Sequence, residues 1–171
     1  MSVQTSSLLD LVSRLAIGHP ELHFVSGTSF YWSPETREVF YDARKPDEIS
    51  ASWSLLHETS HALLGHASYT ADIELLHLEV AAWEHARSLA ANHSINVEND
   101  YIQDCLDTYR DWLYRRSVCP GCGTQCLQAD ATNHYRCYNC HTRWHVSPSR
   151  FCRAYRRSQH KKSLAVFTLT K

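Results

Sequence analysis

Two stretches of this sequence hold residues whose types and spacing can do chemistry. The first is "SWSLLHETSHALLGH", Ser52 to His66. His57 and His61 are four apart, and residues four apart on a helix share a face, so both imidazoles can point at one metal ion. Glu58 projects about 100° further round the axis, beside that ion. The metal lowers the pKa of water towards about 7, and a carboxylate so placed can take the water's proton and pass it to a leaving amine. This is the logic of His-Glu-x-x-His zinc hydrolases, with Glu58 as general base. A chain with 12 histidines can carry the pattern by accident. The setting argues for more: Trp53 and Leu64 are expected on the same face, and two imidazoles on an apolar stripe need a reason to be there.

A catalytic zinc site is expected to have a third protein ligand. The metzincin pattern would supply a histidine six residues after the second one, with a glycine three after it. Here Gly65 and His66 follow at four and five, so His66 is not that ligand. The next segment offers Glu74, His77, Glu79, Glu84 and His85. On a helix, Leu75, Glu79, Ala82 and Ala86 fall on one small, apolar stripe. Glu79 is therefore expected in the core, where its carboxylate needs either a metal or a Tyr or Arg donor. Glu84 shares a solvated face with His77, Val80, Ala81, Arg87 and Ser88.

"LLHETSHALLGH" followed by "LHLEVAAWEHA" resembles the ImmA/IrrE family of gluzincin metallopeptidases. That family pairs the histidine motif with a downstream helix of the type ExEAxxFA. Glu79, Ala82 and Ala86 match its first glutamate and its two alanines, while Ala81 and His85 stand where it has a second glutamate and a phenylalanine. The resemblance covers about residues 25–92. It implies that Glu79 completes a zinc site with His57 and His61, in a minimal zincin fold of a small sheet beside two site helices. It also implies hydrolysis of a peptide bond in an intracellular protein, on a sheet edge that takes the substrate strand. SprT-like (Spartan-type) DNA-associated proteases also join the motif to a following zinc ribbon. Their third ligand is a histidine, for which His77 is the candidate, although Leu78 stands where they have a glycine. Tyr69 and His85 are the candidates for stabilising an oxyanion.

The second stretch is "CPGCG" and "CYNC", which give Cys119, Cys122, Cys137 and Cys140. Two CxxC knuckles separated by fourteen residues make a zinc ribbon. Four thiolates fill a tetrahedral Zn²⁺ with no open position, so this second zinc is structural. Cys126, His141, His145 and Cys152 are spare. A ribbon this small cannot fold on its own apolar content, so metal binding is expected to drive its folding.

The elements that must position these residues follow from periodicity. Leu8, Leu9, Val12, Leu15 and Ala16 place a helix over residues 6–17, ended by Gly18 and Pro20. "LHFVSG" is a strand, and "SFYWSPETREVFYD" a hairpin about Ser33–Thr36. Pro46-Asp47 opens the helix that carries the histidine motif to His66. Long helices follow over about residues 70–92 and over "VENDYIQDCLDTYRDWLYRRS", the latter with Tyr101, Cys105, Leu106, Tyr109, Trp112 and Leu113 inward. The fold class is α+β: a zincin-like domain at 1–117, a zinc ribbon with a basic extension at 118–157, and a tail at 158–171.

Composition sets the frame. Apolar residues are 43 % of 171, enough for a core, and no apolar run reaches the roughly 20 residues of a membrane span. The N-terminus lacks the basic start of a signal peptide, and six of seven cysteines cluster between Cys119 and Cys152. Both features are expected of a cytoplasmic metalloprotein. The net charge of −1 conceals a split, because residues 131–171 hold nine Lys/Arg and no acid. Arg150, Arg153, Arg156, Arg157, Lys161 and Lys162, interleaved with Trp144, Phe151 and Tyr155, are candidates for weak nucleic-acid binding. A solvated basic helix, or one docked on the acidic first domain, is the plainer reading of the same run.

Overall fold

The computed structural model describes residues 7–45, 49–129 and 133–147, together with the backbone of Arg156–Ser158. It is an α+β structure with four helices and two three-stranded sheets among the described residues. By internal contact the chain divides into two units. The first takes in the chain up to Tyr69 and Ile73–Tyr109, and the second takes in Thr70–Asp72 and everything from Arg110.

The first unit opens with α1 (Leu8–Gly18). Ser7 and Asp10 form a reciprocal capping box at its start, each side chain accepting the other's backbone N–H. Leu8, Leu11, Val12 and Leu15 are buried on one stripe. Leu9, expected on that stripe, is 48 % exposed. The spacing i, i+3, i+4, i+7 from Leu8 selects Leu11 instead, and leaves Leu9 about 100° away.

Three strands follow: β1 (His23–Gly27), β2 (Tyr31–Ser33) and β3 (Glu38–Asp42). The hairpin forms, with β2 antiparallel to β3 and Tyr31 stacked on Phe40 at 4.3 Å. The sheet order is β1-β3-β2, with β1 parallel to β3. So β3 is central, its Val39 fully buried, and β2 lies at the edge.

Helix α2 (Ile49–Leu63) presents Trp53, Leu55 and Leu56 to the core. It buries Thr59 and Ser60 as well, and their hydroxyls donate to the carbonyls of Leu55 and Leu56 one turn back, which satisfies them inside the helix. The helix ends three residues before His66. Gly65 adopts a left-handed φ of +67°, the conformation that stops a helix and that glycine adopts without strain. Leu64 consequently lies beyond α2 and is 41 % exposed, rather than on the histidine face. Helix α3 (Asp72–Asn92) buries Leu75, Glu79, Ala82 and Ala86, and Trp83, Leu89 and Ala90 join the core with Ile102 and Leu106 of α4 (Asn99–Ser117).

The second unit is built round one buried ion pair. Arg116, at the end of α4, donates through Nε and Nη2 to the two Asp72 oxygens at 2.7 and 3.2 Å. Tyr135 Oη donates to Asp72 at 2.6 Å, and the remaining Arg116 donors reach the Ser147 carbonyl and Asn133 Oδ1. This network explains the unit boundary. The last turns of α4 and residues 70–72 are fastened to the cysteine-bearing segment, so they group with it rather than with the first unit as a cut near Ser117 would have it. Here β4 (His134–Arg136) pairs with β5 (Arg143–Val146), and β6 (Arg156–Ser158) pairs with β5, both antiparallel. At Arg156 and Arg157 the backbone is therefore extended, not helical. The other basic residues singled out above (Arg150, Arg153, Lys161 and Lys162) lie outside the described residues, as do Phe151, Cys152 and Tyr155. Among the described residues no helix is long and apolar enough to cross a membrane.

Removing one member of a buried pair leaves the other charge uncompensated. Arg116→Ala is expected to destabilise the second unit by about 3–5 kcal/mol, measured as a lowered denaturant midpoint, while Arg115→Ala, at an exposed position, leaves it within about 0.5 kcal/mol.

Candidate metal centre

In the first unit, α2 and α3 bring three potential ligands together. His57 Nε2 lies 3.1 Å from His61 Nε2 and 3.1 Å from Glu79 Oε2, and His61 Nε2 lies 3.6 Å from the same oxygen. A zinc ion with bonds of about 2.0–2.1 Å at tetrahedral angles holds neighbouring ligand atoms roughly 3.3 Å apart. The observed triangle fits that spacing. All three residues are well shielded, and Glu79 is only 1 % exposed. Burial pushes the Glu79 carboxyl up, but the hydrogen bonds to His57 and His61 outweigh it, so the group sits well below the usual carboxylate range. The two imidazoles are fixed differently. His57 stacks on Trp83 at 4.2 Å, and its Nδ1 is buried without a hydrogen-bond partner among the described residues. His61 Nδ1 meets His66 Nδ1 at 2.9 Å.

Glu58 stands beside this triangle. Its Oε2 accepts the backbone N–H of Trp32 at 2.9 Å, so the edge strand β2 holds the carboxylate in place. The bond also occupies an outward N–H of the edge strand. Glu58, His57 and Glu79 line one cleft of about 510 Å³. Tyr101 and Tyr109 of α4 and Phe30 of the β1–β2 connection form part of its wall. Burial pushes the Tyr101 phenol above its ordinary value. Asp42, also on the cleft, is bound by the Arg44 side chain, and that hydrogen bonding holds its carboxyl at about 2.

The other sequence candidates fall elsewhere. His77 is exposed on α3 and is not among the grouped ligand atoms. His85 Nδ1 is paired with Ser60 Oγ at 3.1 Å, and neither His85 nor Tyr69 lines the cleft. Sequence reasoning missed Trp32, which reaches Glu58 across 26 residues, and Tyr101 as a cleft residue. Tyr101 was legible only as a member of an inward stripe, and nothing local says which cavity such a stripe faces.

The second unit holds the four cysteines as a closed group. Cys119 Sγ lies 3.5 Å from Cys140 Sγ, and Cys122 Sγ lies 3.6 Å from Cys137 Sγ. A disulfide would need about 2.05 Å. Thiolates on one zinc, with bonds of about 2.3 Å, stand roughly 3.7 Å apart. Backbone N–H groups of Gly121 and Cys140 point at Cys119 and Cys137 sulfurs, the knuckle geometry. A Cβ on Gly121 would meet Thr142 Oγ1 at 2.8 Å, so any other residue there would have to displace the Thr142 side chain. The residue after each knuckle is left-handed: Gly123 at +75° and His141 at +60°. Thr124 hydrogen bonds lower the Cys122 thiol to about 5, while burial raises Cys119 to about 11. Cys126 donates to the Thr124 carbonyl, and His145 packs on His134; neither joins the group, nor does His141.

These two groups, His57/His61/Glu79 and Cys119/Cys122/Cys137/Cys140, are the clusters able to hold a metal ion among the described residues. No family model matches the chain, no curated protein matches its sequence, and no solved structure matches its fold.

Glu79 and His77 are separated by a direct test. Glu79→Ala is expected to weaken zinc binding at the first site, because it removes one of three candidate ligands. His77→Ala is expected to leave it unchanged. Zinc titration of both variants against a chelating dye checks this, and the opposite pattern would favour the histidine-ligand arrangement.

Proposed function

We propose that this protein is a zinc metallopeptidase of the gluzincin type, with His57, His61 and Glu79 as ligands of the catalytic zinc and Glu58 as general base. The observation that carries the reading is the convergence of two Nε2 atoms and one carboxylate oxygen at zinc-ligand spacing, with a second carboxylate, Glu58, on the cleft that His57 and Glu79 line. A purely structural ion held by three ligands would not need Glu58. A zincin-like arrangement and kinship with ImmA/IrrE-type enzymes belong to this proposal, as do a protein substrate and a cytoplasmic setting. Cys119, Cys122, Cys137 and Cys140 are assigned a second, structural zinc.

Zinc, when bound, supplies Lewis acidity towards water and the scissile carbonyl. Glu58 then takes a proton from the attacking water as its oxygen bonds to the carbonyl carbon. As the C–N bond breaks, Glu58 returns the proton to the departing amine. Trp32 N–H orients the carboxylate for both transfers. Tyr101, whose Oη lies 3.5 Å from Ser54 Oγ, and Tyr109 are the cleft phenols that would donate to developing negative charge on the carbonyl oxygen.

Glu58→Gln keeps the shape and removes the base. It is expected to retain two zincs per chain while cleavage of a peptide library, read by mass spectrometry, falls by about 10² to 10⁴. Equal cleavage by the variant would end this mechanism, and no cleavage by the zinc-loaded parent would end the peptidase reading.

Weak, sequence-independent binding of nucleic acid is proposed for the basic C-terminal segment, on the observation that residues 131–171 carry nine Lys/Arg and no acid. Each phosphate neutralised adds close to one unit to the salt dependence. For a single-stranded oligonucleotide the full chain is expected to give a slope of roughly −3 to −5 in log affinity against log salt. Binding that does not change with salt would remove nucleic acid as a partner.

A further inference from the structure

Helix α2 ends in a Schellman motif. His66 N–H donates to the His61 carbonyl at 3.0 Å, and Gly65 N–H donates to the Ala62 carbonyl at 3.1 Å, with Gly65 left-handed between them. This turn folds the chain back so that the residue after the glycine covers the residue five before it. In most such motifs that contact is hydrophobic. Here it joins two imidazoles, with the His66 and His61 rings 4.9 Å apart at 72° and their Nδ1 atoms at 2.9 Å.

A neutral imidazole carries one N–H. Contact between two Nδ1 atoms therefore needs one donor and one acceptor. His61 Nε2 faces His57 and Glu79, and there it must offer a lone pair if it is to bind a cation. Its proton then belongs on Nδ1, which makes His66 Nδ1 the acceptor and puts the His66 proton on Nε2. His66 is itself held, because the Trp32 indole Nε1–H donates to its carbonyl at 2.8 Å. Trp32 is also the residue whose backbone N–H holds Glu58. One residue of the edge strand thus restrains both the general base and the partner of a metal ligand.

We propose that His66 is a positioning residue of the first metal centre: it accepts the His61 Nδ1–H, so that His61 is fixed with its Nε2 lone pair towards the metal. Trp32 locks His66 in that role. The inference rests on His57, His61 and Glu79 being a zinc site. It adds a residue that is not a ligand and that spacing alone leaves without a function. Partners of this kind, acting on the far nitrogen of a ligating histidine, commonly change metal affinity by about 10–100-fold.

The test is zinc affinity of the full-length chain, measured by competition with a chromophoric chelator, with the four-cysteine site already loaded. His66→Phe keeps a ring over His61 but provides no acceptor, and is expected to bind zinc at the first site about 10–100-fold more weakly. His66→Asn restores an acceptor oxygen and is expected to recover at least part of that loss. Trp32→Phe removes the indole N–H, keeps the backbone donor to Glu58, and is expected to weaken binding in the same direction. A packing role alone predicts the reverse order, with Phe equal to the parent and Asn worse. That order, or equal affinity of all three variants and the parent, overturns the proposal while leaving the zinc site standing. A parent chain that loads a single zinc overturns the zinc-site reading and this inference with it.

Discussion

A carboxylate at 1 % exposure cannot stand alone in a protein interior. Glu79 is such a group, and the first unit is arranged to give it company. Its stripe on α3 is otherwise leucine and alanine, so the helix cannot bury that face without burying the charge. Two imidazoles from one face of α2 converge on it, His57 at 3.1 Å and His61 at 3.6 Å. The histidines in turn need support in the same interior. Trp83 stacks against one and His66 bonds the other. Even the hydroxyls of Thr59 and Ser60 are turned back on their own helix, which leaves the histidine face to the cluster.

The sheet edge carries as much of the site as the helices do. β2 is three residues long, yet Trp32 alone makes two long-range bonds from it, one to Glu58 and one to the His66 carbonyl. With β3 central and β2 outermost, those donors face away from the sheet and towards α2. An edge strand with its outward N–H occupied is also less open to unwanted pairing with other chains. Any chain pairing at Trp32 would have to compete with Glu58 for the same donor.

The second unit solves a different problem. Its apolar cluster is small, with Tyr135, Trp144 and Val146 packed beside Cys119 and Cys137. Two charged arrangements make up for it. One is the Arg116–Asp72 pair, in which each nitrogen of the guanidinium finds an acceptor. The other is the set of four sulfurs, spaced for a metal rather than for disulfides. The left-handed His141 in the position that matches Gly123 shows that knuckle geometry is imposed there against side-chain preference.

Features that depend on neighbours a few residues apart are legible in the sequence. Helical period put His57 and His61 on one face and Glu79 on an apolar one. CxxC spacing gathered each pair of thiols, and alternation about Ser33–Thr36 made the hairpin. The same local rule fails at Leu9, which lies one position off the buried stripe, and at Leu64, which falls beyond a helix that stops three residues before His66. Tertiary structure alone decided which distant segments met. It set β1 parallel to β3, aimed Glu79 at α2 rather than at an arginine, and gave Arg116 to Asp72, 44 residues away. It also made Trp32 the common restraint on Glu58 and His66. Backbone periodicity fixes the direction of a side chain relative to its own axis, but says nothing of how two axes are placed in space. That placement is settled only when the buried charges and the core around them must all be satisfied together.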